Sequence, residues 1–249
     1  MQITLKATLI SCALLVIPAL TNASVIVNYN ADAVAGQAAF ISSLSGPVVV
    51  ENFDGLADAS AANGGSHQNS WESHAASYAT NVGTFSLVTA GQGGSNLYNN
   101  HIMIESAATG EYGRETLSTY DRDLWLDSND AREISWAFDN PQTNGMNAFG
   151  FLIADAADVG ATLKLLFEDN SQSDSFTISP YLQSGNLGYV SVSSSMNIIG
   201  ATLSFINSKG NDGWGIDDIV VGRLPEPGSI LLLALGLLSL GIARKQAAR

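Results

Sequence analysis

Two stretches decide the fold: Glu133-Ile134-Ser135-Trp136-Ala137-Phe138 and Phe149-Gly150-Phe151-Leu152-Ile153. Ile134, Trp136 and Phe138 occupy alternate positions in the first, and Phe149, Phe151 and Ile153 do so in the second. A period of two sends successive side chains to opposite faces of an extended chain, so each stretch reads as a strand with one large apolar face. The same alternation recurs downstream at Leu163, Leu165 and Phe167, at Phe176 and Ile178, at Val190 and Val192, and at Ile199, Ala201, Leu203 and Phe205. Ile216 to Val221 forms the last strand. Upstream, Val48-Val49-Val50 runs into Glu51-Asn52-Phe53, and Phe85 and Leu87 alternate with polar neighbours. Turn formers separate the runs, as at Asn140-Pro141, Asp158-Val159-Gly160, Ser184-Gly185-Asn186 and Lys209-Gly210-Asn211-Asp212-Gly213. Short alternating strands with turns at this spacing predict a mainly β protein, an antiparallel β-sandwich without internal repeats.

One short helix is expected near the start of the domain. Asn30 is placed to cap it, Val34, Ala38 and Ile41 form an i, i+4, i+7 stripe, and Gly46-Pro47 ends it. Packing on the edge or end of a sheet is the expectation. Residues 54–83 and 89–112 break the strand pattern: they are rich in Gly, Ser, Asn and Ala, read as long loops, and hold all three histidines, His67, His74 and His101.

Composition narrows the functions available. Apolar residues make up 46% of the 249 and charged residues 13%, too apolar for a disordered chain. Between Ser24 and Leu224 there are 6 cations against 22 acids, a balance of −16. Such a surface repels phosphate backbones and argues against nucleic acid as a partner. It suits either solubility or cation binding. The single cysteine, Cys12, lies in the N-terminal apolar run, so the mature domain has no disulfide and no thiol nucleophile.

The two ends read as targeting segments. Lys6, the apolar run Leu9 to Leu20 and the small residues of Thr21-Asn22-Ala23 make residues 1–23 a secretory signal helix, with signal peptidase cutting before Ser24. A lipoprotein signal is disfavoured because the apolar run continues past Cys12. At the other end stand Pro225-Glu226-Pro227, an apolar run from Ser229 to Ala243, and the cations Arg244, Lys245 and Arg249. Fifteen residues span about 22 Å as a helix, short of a hydrocarbon core of about 30 Å. The run therefore inserts only with bilayer thinning and makes a poor permanent anchor. The cations hold their end in the cytoplasm and leave the domain facing outward.

This tripartite end resembles the PEP-CTERM sorting signal of Gram-negative bacteria, in which a Pro-Glu-Pro motif precedes a short transmembrane helix and a basic tail. The resemblance covers residues 224–249 and leaves 24–223 as the sandwich domain. It implies an exported precursor, held in the inner membrane until exosortase, a membrane protease-transpeptidase, recognises Pro225, Glu226 and Pro227 and removes the tail. The mature protein would then lie at the cell surface or outside the cell. The family accompanies exopolysaccharide production and biofilm formation, which the resemblance extends to this chain. The middle is similar to lectin-like and carbohydrate-binding-module-like jelly rolls through Val50-Glu51-Asn52-Phe53-Asp54-Gly55, Phe149-Gly150-Phe151 and Asp212-Gly213-Trp214-Gly215-Ile216-Asp217-Asp218-Ile219.

The residues bear on three kinds of chemistry. Several jelly-roll families hold a structural calcium between their first and last strands. By resemblance, Glu51 or Asp54 would join Asp217 or Asp218 in such a site, since hard cations take several oxygen ligands. Strict alternation would put Asp217 and Asp218 on opposite faces, so only one of them could serve. The run Asp121, Asp123, Asp127, Asn129, Asp130 is a second oxygen-rich stretch without an EF-hand's glycine and terminal glutamate. Sugar rings stack on exposed aromatics, and Trp71, Tyr98 and Tyr112 are the loop aromatics suited to this. Trp136 and Trp214 read as core, and Trp125 reads equally as core or surface. Hydrolysis has no visible site: there is no Gly-x-Ser-x-Gly elbow and no His-Glu-x-x-His motif, and His67 and His74 do not by themselves define a zinc site. The expectation is an exported non-catalytic surface or matrix protein. The alternatives are a glycan-binding module and, behind it, a glycan hydrolase.

Overall fold

The computed structural model of the chain describes residues 23–58, 71–91, 100–107, 113–117, 123–156, 160–178, 185–205, 213–225 and 236–237. The signal segment and most of the sorting tail, including Glu226, Pro227, Arg244, Lys245 and Arg249, lie outside the described residues. Among the described residues, no helix is long and apolar enough to cross a membrane.

The chain alternates into strands as the hydrophobic period demands. The elements are β1 (Val25–Asn30), α1 (Ala33–Ser43), β2 (Ser45–Glu51), β3 (Ser73–Ala75), β4 (Ser77–Thr80), β5 (Gly83–Thr89), β6 (Ile102–Ser106), β7 (Leu124–Asp127), β8 (Glu133–Ala137), β9 (Ala148–Ala154), β10 (Thr162–Phe167), β11 (Phe176–Thr177), β12 (Leu187–Ser194), β13 (Ile198–Ser204) and β14 (Gly215–Arg223). They form two sheets, one ordered β1-β12-β9-β14-β7-β6-β3 and the other β11-β10-β13-β8-β5-β4. Every strand pair is antiparallel. One flank of β14 is shared end to end: Gly215 and Ile216 pair with β7, while Ile219 to Arg223 pair with β2.

The inner faces meet in one apolar core. From the first sheet come Ile104, Leu126, Phe149, Phe151, Ile153, Val190, Val192, Ile216 and Ile219; the second adds Phe85, Ile134, Trp136, Leu163, Leu165 and Leu203. Trp136 lies at its centre, 4.9 Å from Phe85, 4.6 Å from Phe138 and 4.9 Å from Phe149 between ring centroids. At about 25 cal/mol per Å² of apolar surface removed from water, aromatic side chains of this size dominate the energetics of such a core. Trp214 packs there too, its ring stacked 4.1 Å from Phe205.

The first sheet has a second buried layer on its outer face. Ala148, Leu152 and Ala154 of β9, Tyr189, Trp125 and Val220 pack with Ala33 and Phe40 of α1. This is why all seven residues of β9 are buried. Small residues let the helix come close. A Cβ on Gly36 would stand 2.8 Å from Cβ of Asn30 and 2.9 Å from Cβ of Tyr189, inside van der Waals contact.

Several expectations need correction. The helix lies across the face of the sheet over β12 and β9, not on an edge or end. Its buried side is Ala33, Gly36 and Phe40, while Val34 is 78% exposed. Asp32 caps it, accepting from Ala35 N at 3.0 Å, and Asn30 instead accepts from Asp32 N. The small-residue side wins because it admits the closest approach to the sheet. In β13 the inward residue is Ile198 rather than Ile199, because an irregularity opposite Leu166 and Phe167 shifts the register. The segments read as long loops contain β3 and β4, too short to show a period, and β6, which is buried on both faces and so does not alternate.

Candidate functional site

Of the four cation candidates, Asp54 and Asp218 lie near Asp217 at one corner, while Glu51 is turned toward Phe53 and Asn81. A bulge in β14 shapes that corner. Asp217 pairs with Leu152, but the next register pair is Val220 with Gly150, and Asp218 takes a left-handed φ of 47°. Ile216 and Ile219 therefore both face the inter-sheet core, three residues apart. The inserted residue breaks the alternation, so Asp217 and Asp218 fall together between two inward residues rather than on opposite faces.

Asp217 is only 4% exposed, and its Oδ1 accepts from Asp218 N at 2.7 Å. Burial, then the Asp218 charge, push its carboxyl up to about 9, and Asp123 and Asp54 add to the effect. Desolvation and like charge both disfavour the carboxylate, so this side chain carries its proton at neutral pH. Gln37 of α1 donates from Nε2 to Asp218 Oδ2 at 3.2 Å and ties the helix to the corner. Burial and the same Asp218 charge raise the Tyr189 phenol, whose buried hydroxyl makes no hydrogen bond among the described residues.

The other two candidates are occupied with the backbone. Glu51, 5% exposed, accepts from Phe53 N at 2.7 Å through one oxygen and from Asn81 N at 2.8 Å through the other. These bonds hold Phe53 at φ 58°, unusual for a bulky residue, while its ring is fully buried in the core. Asp54 accepts from Asn52 Nδ2 at 2.6 Å and from Leu124 N at 3.1 Å, fastening the strand exit to β7. Among the described residues, no three His, Cys, Asp or Glu side chains converge closely enough to hold a metal ion.

Beside the corner lies an ion cluster that the sequence reading missed. Arg114, 5% exposed, pairs with Asp127, and its Nη1 lies 3.4 Å from Oδ2 of Asp155. Asp155 also accepts from Gly185 N at 2.8 Å. Asp127 was legible as part of an acidic run, but Arg114 and Asp155 meet it only through the fold.

The aromatic candidates divide. Trp71 is buried, 4% exposed, with its ring edge-on to His74 at 5.5 Å. Tyr98 and Tyr112 lie outside the described residues. A groove of about 320 Å³ runs beside α1 on the outer face, lined by Asn28, Asn30, Phe40, Tyr189, Ser191 and Ser193 among others. Its hydroxyls and amides offer hydrogen bonds; of its rings Phe40 and Tyr189 are buried and Tyr29 is half-buried.

The chain is thus a mainly antiparallel β protein of two sheets, with a helix-covered outer layer and a proton-holding acidic corner. The family described as the PEP-CTERM protein-sorting motif matches residues 224–245. The match supports an exported, membrane-passing precursor sorted by exosortase, and it covers Pro225, Glu226, Pro227, Arg244 and Lys245. No curated protein matches the chain in sequence.

Proposed function

We propose that the chain is an exosortase-sorted surface or extracellular-matrix protein without catalytic activity, its jelly-roll-like sandwich serving as an acidic, rigid scaffold in an exopolysaccharide matrix. The observation that carries this reading is the inward turn of most Trp and Tyr side chains among the described residues. Trp71, Trp125, Trp136, Trp214, Tyr78 and Tyr189 are all buried, leaving them unavailable as a stacking platform for sugar rings. Excess acid on such a surface keeps a displayed protein soluble and hydrated. The test replaces Pro225, Glu226 and Pro227 with Ala and fractionates cells producing each form. The intact motif should yield a tail-less protein in the surface or matrix fraction, and the variant should accumulate as membrane-bound precursor. Equal distribution of both forms would sink the sorting part, and turnover of matrix polysaccharide by purified protein would sink the scaffold part.

A second reading, glycan binding, is supported by the polar groove beside α1. It predicts glycan-array signal lost in Ser191→Tyr, which fills the groove. Silence from folded wild-type protein leaves the scaffold alone.

A further inference from the structure

His74 and His101 are 27 residues apart in the chain, yet their Nδ1 atoms face each other at 2.9 Å. Strand pairing brings them together. His74 of β3 is opposite Met103 of β6, and His101 lies two residues before Met103. Diagonal neighbours of this kind share a face of the sheet and lie within reach of long side chains. The rings are 4.9 Å apart between centroids and only 20° from coplanar. That separation leaves the two nitrogens almost head-on, with one hydrogen between them. The surroundings fix the arrangement: Trp71 packs edge-on against His74, and Asn129 Nδ2 donates to the His101 carbonyl at 3.1 Å. Asp58 is anchored beside them, its N donating to the Glu72 carbonyl at 3.0 Å. Both rings are half-buried, so solvent ions reach them.

We infer that His74 and His101 form a two-imidazole site for a divalent transition metal of the copper or zinc kind, at the β3 edge of the first sheet. Neutral imidazole nitrogens suit these metals, and copper(II) binds such ligands most tightly among the divalent ions of the first row. With metal–nitrogen bonds of about 2.0–2.1 Å, two ligands at a tetrahedral angle are about 3.3 Å apart. The pair needs to open by about 0.4 Å on that geometry, within the soft χ2 torsion of histidine. The metal takes the place of the hydrogen now between the nitrogens, whose proton passes through solvent to Nε2 of the same ring so that both imidazoles stay neutral, and water completes the coordination. Burial and the neighbouring His101 hold the His74 ring below its usual range, while Asp58 opposes them. The Asp58 carboxylate beside His74 balances the incoming charge.

The test titrates the full chain in detergent with copper(II), read by electron paramagnetic resonance. One copper per chain with splitting from two nitrogens is expected, and affinity should weaken at least tenfold in both His74→Asn and His101→Asn. Zinc should reduce the copper signal only in large excess. His67→Asn, which removes the third histidine, should keep both the splitting and the affinity. Absence of a stoichiometric copper signal would overturn the site, as would a signal unchanged in both variants. If either variant fails to fold by circular dichroism, chemical modification of histidine in the wild type decides. Copper should then protect two of the three rings, and equal modification with and without copper refutes the pair.

Discussion

The two faces of the first sheet are built on opposite terms. The inner face is closed by a second sheet, and its residues are mostly large and apolar, with Phe149, Phe151 and Ile153 fully buried. The outer face is closed by an Ala- and Gly-rich helix and by short connections, and it buries groups that water would normally hold. Asp217, Arg114, Asp127, Asp155 and the Tyr189 hydroxyl all lie in or beside that layer. The difference teaches where stability and where specificity reside. Area buried between sheets is the main favourable term, roughly 25 cal/mol per Å². Buried charge contributes little net stability but penalises any arrangement that leaves it unpaired.

Truncating Phe149 is the strongest way to test the contrast. Phe149→Ala deletes a ring that touches Trp136, Phe138 and Phe151 at once, and should cost about 3–5 kcal/mol in urea unfolding, independent of pH. A loss below 1 kcal/mol would mean that the inner core is far more compliant than its packing suggests.

Asp217 gives the next effect, of opposite sign and dependent on pH. Its folded carboxyl titrates at about 9 against an ordinary 3.8, so the folded state keeps a proton that the unfolded chain releases. Wild-type stability therefore falls as pH rises through this window, and the contribution is fully present only below the ordinary value. Asp217→Asn keeps the shape and removes the titration. It should match wild type near pH 4 and exceed it at pH 8 by on the order of a few kcal/mol. A pH-independent difference would show that Asp217 is ionised in the folded protein. In that case millimolar calcium should raise the melting temperature of wild type and not of the variant; with a protonated Asp217, calcium should leave both unchanged.

Gly36→Ala probes the closeness of the helix. The added methyl meets Asn30 and Tyr189 inside contact distance, and overpacking of this kind costs about 1–3 kcal/mol despite alanine's better helix propensity. Stabilisation instead would show that α1 rides higher on the sheet.

Much of the inner face was legible beforehand, because alternation is a local property of the strand and needs no partner to be read. Ile134, Trp136, Phe149, Phe151, Leu163 and Leu165 were placed on inward faces from spacing alone, and each is buried there. The helix existed where expected but with the wrong face inward. Val34 and Ile41 of the expected stripe are exposed, while Ala33 and Gly36, which permit close packing, lie inward with Phe40. At the acidic corner a one-residue bulge, invisible in composition, decided that the adjacent carboxyls Asp217 and Asp218 lie together.

Sequence by itself determined the antiparallel strands with one apolar face, the acidity of the domain and the sorting tail, since each depends on residue order or type along a single segment. Only the tertiary structure decided which polar residues meet. Arg114 with Asp127 and Asp155, and His74 with His101, are joined by strand pairing and layer closure between residues distant in the chain. No local period carries that information, because contact across the fold depends on register, and register depends on bulges and turns throughout both sheets.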